Sequence, residues 1–301
     1  MRKDLLGGVL VVVAAASFGL MPLFARHAYA AGVDVQTLLF LRFTIAAVVL
    51  VGCLAATKRL IWPGLRVVAW LTLLGGVLYA LQATLYFSAV RVMSPTLAVL
   101  LLYLYPALVM GLSATITRVR PSAKQLAAIV LSLAGMVLVL GAPTGSVQTV
   151  GVLLALGAAL TYAVYIMVGD RFSGTLPPFT TAAYVITFAA LSFAVTGLAR
   201  GGMRLAISGP GWTAVIAVAV VCTIVAIGCF FAGMALIGPV RAAILGVVEP
   251  IVSVAAAAIA LGETITPLQA VGGGCVLVAA VWGSRTPAPP PDRLTTADIQ
   301  R

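Results

Sequence analysis

Long apolar segments recur along the whole chain, and they constrain its fold more than any other feature of the sequence. Each spans about 20 residues, the length that an α-helix needs to cross a hydrocarbon layer of ~30 Å. They are predicted near residues 5–25, 36–56, 67–90, 95–117 and 124–141, then 150–169, 179–198, 212–236, 241–261 and 267–284. Short connections that contain Pro and Gly separate them. The sequence therefore predicts an all-α polytopic membrane protein with ten transmembrane helices.

The composition supports a membrane protein and argues against several other classes. Hydrophobic residues make up 62% of the chain and charged residues 8%, far below the quarter that is usual in soluble domains. The net charge of +11 comes from basic residues between the apolar segments, which favours anionic lipid headgroups over nucleic acid as the partner. None of the four cysteines belongs to a CxxC motif. They are predicted to be small buried hydrophobic residues that form neither a metal site nor a structural disulfide.

The second half of the chain repeats the first half at an offset of 144 residues. The aligned pairs include Pro250 with Pro106, Pro239 with Pro95, Glu249 with Tyr105, and Gly151 with Gly7. Five helices per repeat is an odd number, so the second copy is predicted to enter the bilayer upside down, as two inverted five-helix repeats. The predicted domains are residues 1–146 and 147–285, followed by a disordered, proline-rich cytoplasmic tail at 286–301.

The distribution of Lys and Arg predicts the orientation in the membrane. With a cytoplasmic N-terminus, one side collects Arg2, Lys3, Lys58, Arg59, Arg66, Arg118, Arg120, Lys124, Arg171, Arg241, Arg285, Arg293 and Arg301. The other side holds Arg26, Arg91, Arg200 and Arg204. The positive-inside rule then places both termini in the cytoplasm of a multi-pass protein of the inner (plasma) membrane. The first apolar segment is longer than a signal-peptide core, so we expect it to be a membrane helix.

Glu249 is the strongest candidate for a functional residue. It is a single carboxylate in the apolar run from residue 242 to 260, and Pro250 follows it directly. An acid at this depth is costly and usually has a task. Because Pro250 lacks an N–H group, the carbonyl of Gly246 loses its helical partner and the helix is expected to break. Glu249 is predicted to exchange protons or to bind a substrate ammonium group, and the alternative is a neutral or salt-bridged acid that orders the break.

Arg42 is the other charge predicted inside the membrane, about 9 Å into the second helix. A guanidinium group can bind a substrate carboxylate through two parallel hydrogen bonds. Two structural alternatives are open. The side chain can extend to the outer surface, or it can pair permanently with Glu249.

Tyrosines supply the remaining candidates for substrate binding. Tyr79, Gln82 and Tyr86 share one face of the third helix, where they line either a binding cavity or a contact between helices. Tyr103 and Tyr105 are two residues apart and are expected to face different directions, with Tyr105 of interest as the counterpart of Glu249. A final pair is predicted to line the opposite wall or to pack, and it consists of Tyr162 and Tyr165.

The other polar residues are predicted to have structural roles. His27 is expected just beyond the first helix at headgroup level, Asp34 and Asp170 in or beside solvated loops, and Glu263 at the outer boundary. The glycines at 272–274 are expected to allow close helix packing. The chain contains one histidine and no metalloprotease, serine-hydrolase or nucleotide-binding motif, so we predict that it is neither an enzyme nor a primary pump and uses no cofactor.

Several of these motifs resemble the EamA family of the drug/metabolite transporter superfamily. They are Phe40-Leu41-Arg42-Phe43, Glu249-Pro250, Leu261-Gly262-Glu263 and the closing helix with Gly272-Gly273-Gly274. The similarity extends from Leu5 to Arg285. It implies a ten-helix carrier made of two inverted repeats and, from the activities known in the family, the export of amino acids and small metabolites.

The expected function is therefore a secondary transporter that exports amino acids or related small metabolites by alternating access. Its expected partners are a small-molecule substrate, the lipid bilayer and, as a candidate coupling ion, the proton. Efflux of drugs or cations is one alternative, and a membrane scaffold without transport is another from a different class. The sequence leaves the oligomeric state open, a monomer included.

Overall fold

The regular structure of this chain is helical throughout the part that the structure describes. The computed structural model describes residues 2–93, 95–141, 148–171, 176–199, 207–262 and 264–284. Glu263, residues 200–206 with Arg200 and Arg204, the loop at 142–147, and residues 285–301 with the predicted tail lie outside these ranges. Within them, each predicted apolar segment forms a helix.

We number these helices α1 to α10 and give the two parts of a broken helix the letters a and b. The first repeat contains α1a (Arg2–Gly19), α1b (Met21–Ala30), α2 (Val35–Ala56), α3 (Leu65–Thr72, Leu73–Tyr79 and Ala80–Val92), α4a (Pro95–Leu102), α4b (Tyr105–Thr117) and α5 (Ala123–Leu140). The second repeat contains α6 (Thr149–Arg171), α7 (Pro178–Ala199), α8 (Gly209–Ala219, Val220–Val225 and Ala226–Ile237), α9a (Pro239–Gly246), α9b (Glu249–Leu261) and α10 (Pro267–Ser284).

Nine helical spans of the described chain are long and apolar enough to cross a membrane. The closing helix is shorter in its apolar part, Pro267–Gly283. Large apolar side chains cover the outside of the protein, and Ile259 is 87% exposed. Because such a surface is unfavourable in water, the helices are embedded in the membrane.

The bounds of the helices preserve the 144-residue offset seen in the sequence. Adding 144 to α4a gives the bounds of α9a, adding it to α4b gives α9b, and adding it to α5 gives α10. The middle of the third helix in each repeat is a π-helical segment, Leu73–Tyr79 in α3 and Val220–Val225 in α8. The two repeats therefore share helix bounds, helix breaks and a π-helical segment as well as residue types.

Equivalent helices of the two repeats pack against each other in an antiparallel arrangement. In α2 and α7, Gln36 donates a hydrogen bond from Nε2 to the carbonyl of Phe193 (3.2 Å), while Thr180 donates to the carbonyl of Arg59 at the opposite end (3.4 Å). In α5 and α10, Gln269 Nε2 donates to the carbonyl of Val139 (3.3 Å), and Gly283 lies beside Ala128. Each pair therefore runs in opposite directions.

The first helix of each repeat packs on the third helix of the other, and the contacts are reciprocal. Gly7 of α1a lies against Ile237 at the end of α8. Gly151 of α6 lies against Met93, directly after the end of α3. The offset of 144 residues converts one contact into the other.

The structure corrects several predictions for individual residues. Gly272 lies against the carbonyl of Gly135 as a packing glycine should, but in the described part of the chain no atom lies within 4 Å of a Cβ built at Gly274. Cys53 is exposed near the end of α2, whereas Cys222 is buried as expected. His27 lies inside α1b, because the first helix resumes after Leu20 and continues to Ala30. Asp170 is buried at 7% exposure near the end of α6, contrary to the expected solvated position.

Candidate functional site

Glu249 lies at a break in the ninth helix, as Pro250 predicted. The helix stops at Gly246, the chain turns at Val247 and Val248, and a new helix begins at Glu249. Pro250 occupies the first turn of α9b, where its missing N–H group leaves no donor unsatisfied. Glu249 itself is half-buried.

The fourth helix contains the same break in the first repeat. Leu104 N donates to the carbonyl of Leu101 at 3.2 Å, and the equivalent Val248 N donates to the carbonyl of Leu245 at 3.2 Å. Tyr105 therefore occupies the position that Glu249 occupies in the second repeat. Its hydroxyl crosses to α9a, where it donates a hydrogen bond to the carbonyl of Ala243 (3.2 Å).

Tyr103 also belongs to this site, although we expected it to face away from Tyr105. Both side chains are buried, and their ring centroids are 6.0 Å apart. The expectation assumed the regular rotation of a continuous helix, but Tyr103 lies in the turn between α4a and α4b, where that rotation does not apply. The Tyr103 hydroxyl lies close enough to the carboxyl group of Glu249 to interact with it.

Aromatic rings from both repeats form a continuous row through the core. Successive ring centroids lie 4.7 Å apart for Tyr105 and Tyr162, 5.9 Å for Tyr162 and Tyr165, 5.8 Å for Tyr165 and Tyr79, and 5.2 Å for Tyr79 and Phe43. These spacings are typical of interacting aromatic side chains. We call the six rings the aromatic row: Tyr103, Tyr105, Tyr162, Tyr165, Tyr79 and Phe43.

Arg42 lies beside Tyr79 and Phe43, at one end of the aromatic row, and is only 4% exposed. Its Nη1 atom donates to Met21 Sδ (2.7 Å), its Nη2 atom donates to the Tyr79 hydroxyl (3.4 Å), and Cζ is 4.6 Å from the centroid of the Phe43 ring. Among the residues that the structure describes, none accepts a hydrogen bond from the buried Nε atom. The side chain therefore does not extend to the surface, which was one of the two structural alternatives.

Arg42 is not paired with Glu249 either. Among the described residues, no carboxylate lies within 4.0 Å of the guanidinium group, and no basic side chain lies within that distance of Glu249. A buried charge without a counter-ion is unfavourable unless other groups compensate it. A weak sulfur acceptor and one long hydrogen bond leave Arg42 with donors available for a stronger acceptor.

Four tyrosines lie near Glu249. It is close enough to interact electrostatically with Tyr86, Tyr103, Tyr105 and Tyr162. Cys222, in the π-helical segment of α8, is buried and close enough to interact electrostatically with both Arg42 and Glu249. No sequence signal distinguishes this thiol from the other cysteines, because its position depends on the packing of distant helices.

Gln82 and Tyr86 continue the face of α3 that begins at Tyr79. Both are half-buried, and Tyr86 is the one in electrostatic contact with Glu249. In the described part of the chain, the Gln82 amide makes no hydrogen bond, so both its donor and its acceptor are unused. The structure thus brings Arg42, Glu249 and the predicted tyrosines into one region. Gln82 lies beside them, on the same helix as Tyr79 and Tyr86.

A backbone contact from the first helix closes the site at Glu249. A Cβ atom at Gly19 would lie 2.5 Å from the carbonyl oxygen of Glu249, so only a glycine lets α1a approach the break so closely. The first helix is itself interrupted at Leu20, beside this contact. Met21, the partner of Arg42, follows directly, so the interruption in α1 positions both the contact with Glu249 and the contact with Arg42.

Comparisons with known proteins agree with this architecture. A curated relative, an uncharacterized transporter from Archaeoglobus fulgidus, is 28% identical over 277 residues, which cover 91% of this chain and 95% of the relative. A solved crystal structure superposes with a TM-score of 0.75 at 24% identity, over 91% of this chain and 95% of that chain. At this identity the structural match demonstrates the fold alone.

The family model gives the assignment. The EamA-like transporter family matches residues 5–141 and again residues 149–284, so each repeat is one copy of the family's unit. A transporter family implies a role without catalysis. From these two matches, which together cover most of its length, the chain belongs to the EamA-like transporter family.

Proposed function

We propose that this protein is a secondary transporter that exports amino acids or related small zwitterionic metabolites by alternating access. One observation carries the proposal. A buried guanidinium and a carboxylate lie at two ends of an aromatic row, and neither has an opposite charge within 4.0 Å among the described residues. A zwitterion supplies the missing charge at both ends.

The proposed architecture is ten membrane crossings in two inverted repeats, residues 1–146 and 147–285. The antiparallel packing of α2 on α7 and of α5 on α10 supports it. Equivalent helices run in opposite directions only if the two-fold axis that relates the repeats is perpendicular to the helix axes. For membrane-crossing helices, that axis lies in the membrane plane. We place both termini in the cytoplasm and the protein in the inner (plasma) membrane, on the distribution of Lys and Arg.

Each site residue has a proposed task. Arg42 binds the substrate carboxylate, and Tyr79 orients the guanidinium through its hydroxyl. Glu249 binds the ammonium group, with Tyr103 donating to the carboxylate. The substrate side chain lies against Tyr105, Tyr162 and Tyr165, while Gln82 and Tyr86 offer polar contacts at the edge.

Protons are the proposed coupling ion. A carboxylate that binds an ammonium group must lose its own proton first, so the substrate and the proton compete for Glu249. A proton that arrives from outside would displace the substrate there, and a proton released to the cytoplasm would restore the carboxylate. Exchange of this kind drives export with the proton gradient.

The test is a growth screen followed by flux measurements. Cells that overproduce the protein are challenged with toxic amino-acid analogues and drugs, and the protecting compound is then assayed in proteoliposomes. We expect protection against an amino-acid analogue and uphill flux of the amino acid when a pH gradient is imposed. If no amino acid moves in either direction, with or without the gradient, the proposal fails.

Two substitutions separate the roles of the charges. Glu249→Gln keeps the shape of the side chain but cannot exchange a proton, so uphill transport driven by pH is expected to be lost. Arg42→Gln removes the buried cation, and we expect KM for the amino acid to rise about 30-fold, since losing one partner of such a contact costs about 2 kcal/mol or more. Asp34→Asn and Arg120→Gln, both outside the site, are the matched controls and should transport normally.

Efflux of cationic drugs is the second candidate, and the surroundings of Glu249 favour it. Four tyrosines near a single acid can bind an organic cation through their ring faces as well as through the carboxylate. This function has no use for Arg42. Drug resistance that survives Arg42→Gln and disappears in Glu249→Ala, without any amino-acid flux, would establish it in place of the first.

A further inference from the structure

We propose that the connection between α2 and α3, taken together with the first two residues of α3 (residues 57–66), is a binding surface for the headgroups of anionic phospholipids in the bilayer. Its sequence is TKRLIWPGLR, which combines three basic residues with four large apolar ones and contains no acid. The proposal depends on the membrane embedding of the helices and does not depend on the proposed substrate.

The apolar side chains of this connection point away from the protein. Trp62 is 65% exposed and Leu65 is 79% exposed, with Leu60 and Ile61 exposed as well. Four neighbouring apolar side chains in a loop are unfavourable in water. Since α2 ends at Ala56 and α3 begins at Leu65, the connection lies at the membrane boundary, where tryptophan is favoured.

The basic side chains lie on both sides of the apolar ones in the sequence. Lys58 and Arg59 precede the apolar residues, Arg66 follows them, and all three are exposed. Among the described residues, no carboxylate lies within 4.0 Å of any of the three. Phosphates of anionic lipids are the counter-ions that a membrane boundary supplies.

The backbone of the connection is held in one conformation by hydrogen bonds. Leu54 accepts at its carbonyl from Arg59 N (2.8 Å) and Leu60 N (3.1 Å), with Lys58 in the left-handed region at φ +56°. The second repeat adds two bonds from α7, from the Tyr184 hydroxyl to the carbonyl of Ile61 (3.3 Å) and from the Thr180 hydroxyl to the carbonyl of Arg59 (3.4 Å). The side chains are therefore presented outward by a fixed loop, which lowers the ordering cost of binding.

A single-tryptophan variant measures the contact directly. Trp70, Trp212 and Trp282 are replaced by Phe, so fluorescence reports on Trp62 alone in mixed vesicles. We expect brominated phosphatidylglycerol to quench Trp62 at least about 5-fold more, per mole of brominated lipid, than brominated phosphatidylcholine. If neither lipid quenches Trp62 and aqueous iodide does, the loop lies in water and the proposal is wrong.

Charge variants then show whether the three basic residues cause the preference. Trp62 in Lys58→Asn/Arg59→Gln/Arg66→Gln should be quenched equally by both lipids. In the control Arg118→Asn/Arg120→Gln/Lys124→Gln, which changes the next connection of the same predicted face and the first turn of α5, the preference should remain. Equal loss in both triple variants would mean that net charge alone acts, which overturns the proposal. Inorganic phosphate should weaken the preference no more than chloride at the same ionic strength, and a stronger effect would indicate a free-anion site instead.

Discussion

Gly246 is the residue that lets the two helix breaks approach each other. A Cβ atom at this position would lie 2.5 Å from the Tyr105 hydroxyl and 3.8 Å from Cζ of the same ring. The hydroxyl is the oxygen that bonds the carbonyl of Ala243. The contact therefore ties the break of one repeat to the helix before the break of the other, directly beside Glu249.

Gly246→Ala is expected to displace the Tyr105 hydroxyl and to lower the free energy of unfolding by about 1–3 kcal/mol. Tyr105→Phe alone should cost about 1 kcal/mol, the net value of one hydrogen bond. In the double variant the Cβ atom has no oxygen to meet, so the combined cost should fall about 1 kcal/mol or more below the sum. Denaturant unfolding in detergent measures all four proteins.

Gly274→Ala is the matched control for this cycle, because a Cβ atom there meets no atom within 4 Å. It should unfold like the parent protein or slightly later, since alanine favours a helix over glycine by about 1 kcal/mol. Additive costs for Gly246→Ala and Tyr105→Phe would show that the Cβ atom at position 246 does not contact the Tyr105 hydroxyl.

At the residue scale, the sequence identified the charges but not their partners. Arg42 and Glu249 stand out because each is a charge inside an apolar run. Tyr103 and Cys222 carry no such signal, since one depends on the exact position of a helix break and the other on the packing of α8 against helices far away in sequence. Local periodicity cannot supply either.

Breaks and π-helical segments distinguish the elements of this fold from simple membrane helices. Helix breaks in α4 and α9 could be predicted because proline marks them. The π-helical segments in α3 and α8 could not, because no residue type specifies an extra residue in a helical turn. Tyr79 ends the first of these segments and Cys222 lies in the second, so both segments position residues of the candidate site.

Ser192→Ala tests what stabilises the π-helical segment of α3. The Ser192 hydroxyl donates to the carbonyl of Gly76 inside this segment (2.7 Å), and its loss leaves that carbonyl without this donor. We expect a cost of about 1–3 kcal/mol in the free energy of unfolding. Thr187→Val, which removes a hydroxyl that bonds only its own helix at the carbonyl of Ala183, should cost less than about 0.5 kcal/mol. Equal costs would show that the bond to Gly76 has no special role.

Asp34 begins α2, the helix that carries Arg42, and it gives a pH-dependent prediction. Its carboxylate accepts from Thr37 N (3.0 Å) and from the Thr37 hydroxyl (2.6 Å). Burial is the largest single effect and raises the pKa of this carboxyl group, but the hydrogen bonds from Thr37 and from the backbone N–H groups of Gln36 and Asp34 together outweigh it, so the pKa is lowered overall. Because the pKa is lower in the folded protein, ionised Asp34 stabilises the folded state at pH values above the pKa in the unfolded chain, about 3.9. This contribution is lost as the pH falls through the pKa of the folded protein.

Asp34→Ala should therefore lower the free energy of unfolding by about 1 kcal/mol at pH 7, while Asp34→Asn, which keeps a capping oxygen, should cost only a few tenths. The difference between aspartate and asparagine should be constant from pH 8 to 5 and should shrink below about pH 4. Thermal unfolding of the three proteins across this range measures it. A difference that grows in acid would contradict the assigned direction of the pKa.

At the scale of the whole molecule, the arrangement follows from a repeat that the sequence shows plainly. Aligned prolines gave the offset of 144 residues, and the bounds of α4, α5, α9 and α10 keep it. The sequence does not predict which helices pack together. In a membrane, apolar side chains face lipid as readily as protein, so an apolar helix face does not indicate burial inside the protein. Contacts such as Gly7 with Ile237 depend on small residues whose partners are far away in sequence.

Labelling from the two sides of the membrane is the last prediction, and it tests the inverted repeats. Lys124 and Leu268 are equivalent positions, both exposed and each the second residue of its helix, α5 or α10. Since these helices pack in an antiparallel arrangement, their first turns should lie at opposite membrane faces. With the four native cysteines replaced, Lys124→Cys should react with an impermeant maleimide from the cytoplasmic side only, and Leu268→Cys from the outer side only. Reaction of both from the same side would refute the inverted arrangement, and with it the site formed between the repeats.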